Sequence, residues 1–508
     1  MSKSKDKITY KKFRDPIYGY IEVDEEICRD IIDTDVFQRL RHIGQVSYAA
    51  LYPSASHNRF VHSLGVYHLG RLAFDTIVEH NKNLEVYRKV FELACLLHDI
   101  GHAPFSHTGE GYFFGGLEKD DYGELEPKLK ELVENNKKKK HQPNKHEIMS
   151  CEIALNRFGQ IIGDEEKSEF FCRCIMGIRY ENASGIDKKK NALISLLNSN
   201  TIDVDKIDYL MRDTRVMGFD GVAIDYVRLL CGVRICGEEI AFDKSALSVI
   251  ENVVYSRDQH KKWIQSHPII AYETYLIKQS VSRLSEVYPK NSVVKLFSKR
   301  AISKDGIALS TQNININIRL VSDIDILFLM KQNINDRIIG QYFDRNSRYT
   351  PLWKTESEFM SLFGEDGITL GKVLTIGGLA DNNGGNHVGV DSISSDQTTG
   401  ITRPLIEALG RAAQSVELTF DFYILKADQY ESGFSKADLG EIIIKFSKET
   451  KKKLKEVGNL PKAESKEKGA SFFYLFYKKT LDKNGKIKKI SKKKFADTLK
   501  KELNKAPA

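Results

Sequence analysis

The sequence predicts a mainly α-helical fold with a smaller mixed α/β region on its C-terminal side. Two observations predict it. From about residue 25 to 290, apolar residues recur at helical spacing in one segment after another. Beyond about 290 the character changes to strand-like apolar runs separated by Gly- and Asn-rich stretches. A third observation sets the solvent. The chain is 41% hydrophobic and 29% charged, as in water-soluble globular proteins. No apolar run approaches the length of about 18 residues that would suggest a membrane span. At 508 residues more than one domain is expected, here 1–290 and 291–508.

The elements follow in chain order. TYKKFRDPIYGYIEVD (9–24) reads as strand, Pro/Gly turn and strand. Segments 34–50, 62–80, 86–98, 146–158, 168–180, 191–199, 203–217, 224–234 and 244–264 read as helices. An acidic and then lysine-rich stretch, 115–145, interrupts them and reads as an insertion with a short helix and a mobile basic tip. NININIRLVSDIDILFLM (313–330) begins with strand-like alternation and ends helix-like. Residues 376–400, rich in Gly, Asn and Ser, read as a long loop or linker. VELTFDFYIL (416–425) and FFYLFYKK (472–479) are strand candidates, and Asn484-Gly485 marks a hairpin turn.

Seven cysteines without a CxxC pair fit a reducing compartment, and the basic N-terminus lacks the apolar stretch of a secretory signal. The expectation is therefore a cytoplasmic protein with no membrane partner. The formal charge of +8 favours anionic ligands without identifying one. Lysines cluster at 137–140, 451–455 and 486–501. They are solvated faces and flexible tips, or they contact nucleic-acid phosphates.

The chemistry concentrates in LACLLHDIGHAPFSH (93–107). An apolar helix delivers His98 and Asp99 at its end, and Gly101 and Pro104 then break it. An imidazole beside a carboxylate offers one nitrogen and one oxygen ligand to a divalent cation. His102 and His107 follow, so three of the thirteen histidines fall within ten residues. The alternative is a group of core histidines bonded to backbone. HNRFVHSLGV (57–66) places His62 at the start of another helix, with Arg59 three residues earlier. In NTIDVDKIDYLMRD (200–213), Asp205, Tyr209 and Asp213 share one helix face, with Lys206 close by. A carboxylate, a lysine, a phenol and a second carboxylate suit a metal and a polyanion that carries a sugar. An exposed polar helix face would look the same.

His62, His98-Asp99 and Asp205 together match the H…HD…D signature of the HD superfamily. The words DPIYGYIEV, IIDTDVFQRLRHIGQV, SHNRFVHSLGV, LLHDIGHAPFSH, HEIMS and IDVDKIDYLMRD resemble deoxynucleoside triphosphate triphosphohydrolases, both the bacterial dGTP enzymes and the animal SAM-and-HD-domain enzyme. The resemblance covers about 10–270, and no SAM domain precedes the core in this sequence. It implies an HD-domain helical core and hydrolysis of a (deoxy)nucleoside triphosphate to nucleoside and inorganic triphosphate. It implies a divalent metal ion (Mn, Mg, Fe or Zn) on His62, His98, Asp99 and Asp205, with His107, His146 and His102 as catalytic histidines. Glu110 stands where the family often has an aspartate. Arg59, Lys206 and Arg257 resemble the triphosphate-binding cations, and Gln45, Tyr209, Asp213 and His267 the surroundings of sugar and base. Trp263 and Gln265 depart from the animal enzyme's arginine and tyrosine, so its exclusion of ribonucleotides is not implied.

Lys11, Asp33, Gln38 and Arg41 match the animal enzyme's guanine-nucleotide activator site, which implies a homo-oligomer. The same residues could be the cap and surface charges of an amphipathic helix. Two other functions remain open from the residues alone: an HD phosphodiesterase or phosphatase, and a nucleotide sensor or nucleic-acid-binding module. The biological role, nucleotide-pool balance or antiviral defence, is open too.

Overall fold

The computed structural model describes residues 9–46, 51–112, 125–136, 142–219, 223–288, 292–302, 304, 306–310, 315–364, 386–389, 402–427, 437–447, 449–458, 472–481 and 484–503. The basic tip at 137–140 and most of the 376–400 stretch lie outside them. The chain is mainly α-helical, with small sheets. It packs as two units: 1–258 with 284–329 and 433–462, and 259–283 with 330–432 and 463–508. A single cut near 290 therefore follows chain order and not packing, because 284–329 folds back onto the first unit.

In the first unit, Tyr10–Asp15 and Gly19–Asp24 form the expected antiparallel hairpin, with Asp15 opposite Gly19. The Asp15 carboxylate shapes the turn by accepting the N–H groups of Ile17 and Tyr18 at 2.8 and 3.1 Å. The helix expected over 34–50 does not form across the described residues 34–46, and 47–50 lie outside them. Asp35–Gln38 is one helical turn and Arg39–His42 a 3-10 turn, after which Gly44 pairs as a β-bridge with Asn58. The chain must turn there to lay Gly44 and Gln45 against the start of the next helix. That helix, Arg59–His80, is capped by the Asn58 side chain, which accepts from Val61 N at 3.3 Å.

Arg88–Leu97 packs on Arg59–His80, with the rings of Phe74 and Phe91 5.5 Å apart. Every residue from Val90 to Leu97 is buried, which explains the apolar run Leu93–Leu97 before His98. Lys145–Ile162, Glu165–Met176, Gly185–Leu197 and Val204–Met217 complete the helical core. Asp203 caps the last of them, accepting from Lys206 N at 2.8 Å. Arg59–His80 and Val204–Met217 approach closely because position 65 is glycine: a Cβ there would lie 1.9 Å from Asp208 Oδ1.

The helix expected over 224–234 ends at Cys231. Val233–Cys236 and Glu239–Asp243 form a hairpin instead, with Gly237 at φ +67° in the turn. Ile443–Lys445 joins it in parallel, and Lys451–Lys453 extends the sheet. Asn315–Ile318 and the helix Asp323–Gln332 divide 313–330 as its two periodicities predict.

The second unit holds the antiparallel sheet of Thr350–Pro351, Phe472–Tyr477, Asp421–Ala427 and Asn386–Gly389, in that order. Asn386–Gly389 corrects the reading of 376–400 as loop throughout. Phe422, Tyr423, Ile424 and Leu425 are all buried, so this strand is covered on both faces. Trp353, fully buried, donates its indole N–H to Phe473 O at 2.8 Å. The Asn-Gly turn closes with a bridge between Leu481 and Ile487. Among the described residues, no helix is long and apolar enough to cross a membrane.

Candidate active site

The apolar helix Arg88–Leu97 ends at His98 and Asp99, and the next turns are pinned close to Lys145–Ile162. A Cβ at Gly101 would sit 2.3 Å from Ser150 N, so only glycine lets the loop pass there. Gly101 N in turn donates to Ser150 Oγ at 2.9 Å. His62 enters from the first turn of its helix and Asp205 from the first turn of Val204–Met217. His62 Nε2 lies 3.0 Å from Asp205 Oδ1, 3.5 Å from Asp99 Oδ2 and 3.3 Å from His98 Nε2. His98 Nε2 lies 3.4 Å from Asp99 Oδ1 and 3.7 Å from Asp205 Oδ1. The four expected metal ligands thus converge.

The donor chemistry fits a divalent cation. The outer nitrogen of each ring is already engaged: His98 Nδ1 with Cys95 O at 2.9 Å, His62 Nδ1 with Asp208 Oδ2 at 2.7 Å. These bonds hold both rings as Nδ1–H tautomers and aim the Nε2 lone pairs inward. Two inward nitrogens and a set of carboxylate oxygens would repel one another without a positive charge between them. Burial lowers the His62 pKa, but its bonds to Asp205 and Asp208 and the charges of Asp208 and Asp99 raise it to about 10. Asp205 is 34% exposed against 3% for Asp99, so the group is open on one side, as a site that admits substrate must be.

A second cluster adjoins the first. Glu110 Oε1 faces His102 Nδ1, His107 Nδ1 and His146 Nδ1 at 3.1, 2.9 and 3.1 Å. Glu110 Oε1 nonetheless makes no well-aligned hydrogen bond to any of the three rings. The rings of His102 and His146 stack at 4.1 Å. Burial pushes the Glu110 carboxyl up, but the three imidazoles hold it well below the usual carboxylate range. Burial lowers His146, yet Glu110 raises it above an ordinary histidine. Burial, with the charges of Arg59 and His146, depresses His102 to about 4, so it is neutral near pH 7. His102 Nε2 lies 3.1 Å from Asp99 Oδ1 and links the two clusters. Each cluster contains groups able to hold a metal ion.

The remaining site candidates divide. Arg59 Nη1 donates to Asp99 Oδ2 at 2.6 Å, so it is committed to a buried ion pair while bordering the first cluster. Lys206 Nζ bonds Ser199 O at 2.8 Å, and Arg257 Nη1 reaches Asn200 O and Thr201 O at 3.2 Å each; both cations gather on the loop before Val204. Asp213 is buried and held by His57 Nε2 at 2.8 Å, a partner that sequence reasoning missed although it opens the HNRF word. Gln45 is 7% exposed, and its Oε1 has no partner. Tyr209 lies on the predicted face, with burial pushing its phenol up. His267 lies in the second unit, where its Nδ1 accepts from Ile269 N at 3.2 Å.

Lys11 pairs with Asp33 at 3.4 Å on the surface. Arg41 donates to Gln38 Oε1 at 2.7 Å and lies 3.6 Å from the Phe60 ring centroid.

Residues 59–210 match the HD domain family, and this part of the chain is an HD domain. The chain is similar to deoxynucleoside triphosphate triphosphohydrolases. It is 32% identical over 258 residues to deoxynucleoside triphosphate triphosphohydrolase SAMHD1 of Mus musculus, covering 48% of this chain and 37% of the relative. It is 28% identical over 286 residues to the uncharacterized protein YwfO of Bacillus subtilis, covering 56% of this chain and 58% of that one. The chain thus spans less than two thirds of the length of these relatives. A solved phosphohydrolase from Bacteroides thetaiotaomicron shares the fold at 19% identity, with a TM-score of 0.56 over 92% of this chain and 100% of that one.

Proposed function

We propose that the protein is a metal-dependent HD phosphohydrolase that cleaves (deoxy)nucleoside triphosphates to nucleoside and inorganic triphosphate. The observation that supports it most is the joining of the four-donor centre to the histidine–glutamate cluster through Asp99 and His102, 3.1 Å apart. His62, His98, Asp99 and Asp205 would hold a divalent cation, which would supply Lewis-acid polarisation of a phosphoryl oxygen and of water. Lys206 and Arg257 bind phosphate oxygens, for which point charges and forked donors are suited. The unpartnered Gln45 Oε1 accepts a hydrogen bond from a sugar hydroxyl. Glu110 favours the protonated form of His146 and lies 2.9 Å from His107, whose 69% exposed ring can reach the leaving 5′-oxygen. Water attacks the α-phosphorus and releases a proton to solvent, the bond from phosphorus to the 5′-oxygen breaks, and that oxygen takes a proton from the histidine cluster, giving nucleoside and inorganic triphosphate.

Incubation with Mn²⁺ or Mg²⁺ and each NTP and dNTP, alone and in mixtures, tests the reading, with chromatography of the products. Release of orthophosphate and a nucleoside diphosphate alone would instead mark a phosphatase.

The activator set belongs to the same proposal. A guanine nucleotide at Lys11, Asp33, Gln38 and Arg41 raises the rate on a second dNTP and increases the oligomer mass, because it prefers the active assembly. Asp33→Ala is expected to remove that response and leave the metal content unchanged, as read by the mixed-substrate assay and light scattering. Equal rates alone and in mixtures, at constant mass, would return these residues to the role of helix-cap and surface charges.

A further inference from the structure

The loop that carries His102, Ser106 and His107 contains two consecutive non-glycine residues in the left-handed region, Phe105 at φ +60° and Ser106 at φ +51°. Such a turn is costly and persists only where its surroundings fix it. What fixes it comes from far along the chain. Asp323 opens the helix Asp323–Gln332, in the segment that folds back onto the first unit. Its Oδ1 accepts from Phe105 N at 2.6 Å and its Oδ2 from Gly44 N at 2.9 Å. Gly44 is itself bridged to Asn58, the residue before Arg59, and Gly44 O accepts from Ser106 Oγ at 2.6 Å. Ser106 Oγ accepts from Arg59 Nε at 2.9 Å, and Arg59 also holds Asp99.

A second tie runs in parallel. Buried Arg39 donates to His102 O at 2.7 Å and to Ile100 O at 3.4 Å, and its Nε bonds Val321 O, two residues before Asp323.

The geometry points to Asp323 as a positioning residue for the histidine cluster: its carboxylate clamps the Gly44 and Phe105 N–H groups and so sets the turn that aims His102 and His107. An ionised carboxylate is suited to this, since its two oxygens accept from two separate backbone strands at once. Asparagine fills the same space with one accepting oxygen and turns an N–H toward a backbone N–H. Alanine removes both bonds. The loss is therefore graded. The rate arm of the test rests on the hydrolase reading above, and the exchange arm does not.

The experiment compares the full-length wild type, Asp323→Asn and Asp323→Ala by Mn²⁺ stoichiometry, steady-state kinetics on a dNTP and amide hydrogen exchange of a peptide covering 100–108. Expected in Asp323→Ala are unchanged Mn²⁺ binding, exchange faster by about tenfold, and kcat lower by about a hundredfold at a KM within twofold. Asp323→Asn falls between, and it carries the test if the alanine variant does not fold. With an active wild type, exchange or kcat staying within twofold of it overturns the assignment, since faster exchange at full kcat marks a structural tie only. If the wild type hydrolyses nothing, the hydrolase reading fails while exchange alone decides the clamp: about tenfold faster upholds it, and unchanged exchange overturns it.

Discussion

His62→Ala is expected to abolish both bound metal and hydrolysis while the chain stays folded. His62 contributes its Nε2 to the centre, and its removal leaves Asp208 still bonded to Tyr18 and Arg212. Asp99→Ala is expected to have the same effect on metal and rate but to cost the fold more. Asp99 and Arg59 form a buried pair, with side chains 3% and 4% exposed. Removing the carboxylate strands the guanidinium, at a cost of about 3–5 kcal/mol. Metal analysis and thermal unfolding of the two variants therefore separate: equal metal loss, unequal stability. Full metal occupancy in either variant would remove the ligand assignment.

Asp208→Asn is expected to weaken metal binding about 10- to 100-fold without touching a ligand. Asp208 is fully buried and accepts from His62 Nδ1, Tyr18 OH and both Arg212 donors that face it. An amide in its place lets the His62 ring choose either tautomer and deprives Arg212 of its bidentate partner. Arg212 keeps Asp15 at 2.8 Å, so the variant should fold with reduced stability. Burial pushes the Asp208 carboxyl up, but Arg212 and His62 outweigh it and hold it well below the usual range. A depressed carboxylate stabilises the fold above its unfolded value, near pH 4, and that stability drains as pH falls further. The wild type should thus lose stability more steeply below about pH 4 than Asp208→Asn does. Titration calorimetry with Mn²⁺ and acid unfolding measure the two effects; unchanged affinity would make Asp208 a packing residue only.

The clustering of the candidate metal ligands is legible because its signals are local. His98-Asp99 ends an apolar helix, and Asp205 and His62 each start one. Asp208 was hidden in plain view: it lies one turn after Asp205, but nothing in IDYLMRD says that its carboxylate turns back to His62. His57, Arg39 and Asp323 carry no local signal at all. Their partners lie 156, 282 and 218 residues away in the chain, and only folding brings them together. The missed strands are four to five residues long, too short for a period to register, and Asn386–Gly389 sits in Gly- and Asn-rich sequence that reads as loop. The over-read helix at 34–50 fails for the opposite reason. Its apolar spacing is helical, yet Gly44 and Gln45 are needed as an extended arm beside the start of the helix Arg59–His80.

The proposed reaction is attack by water on the α-phosphorus with release of the whole triphosphate. Hydrolysis of a dNTP in ¹⁸O-labelled water, followed by mass spectrometry of the products, tests it most directly. Unlabelled nucleoside and inorganic triphosphate carrying one ¹⁸O are expected. Label in orthophosphate beside a nucleoside diphosphate, or in the nucleoside itself, would contradict it.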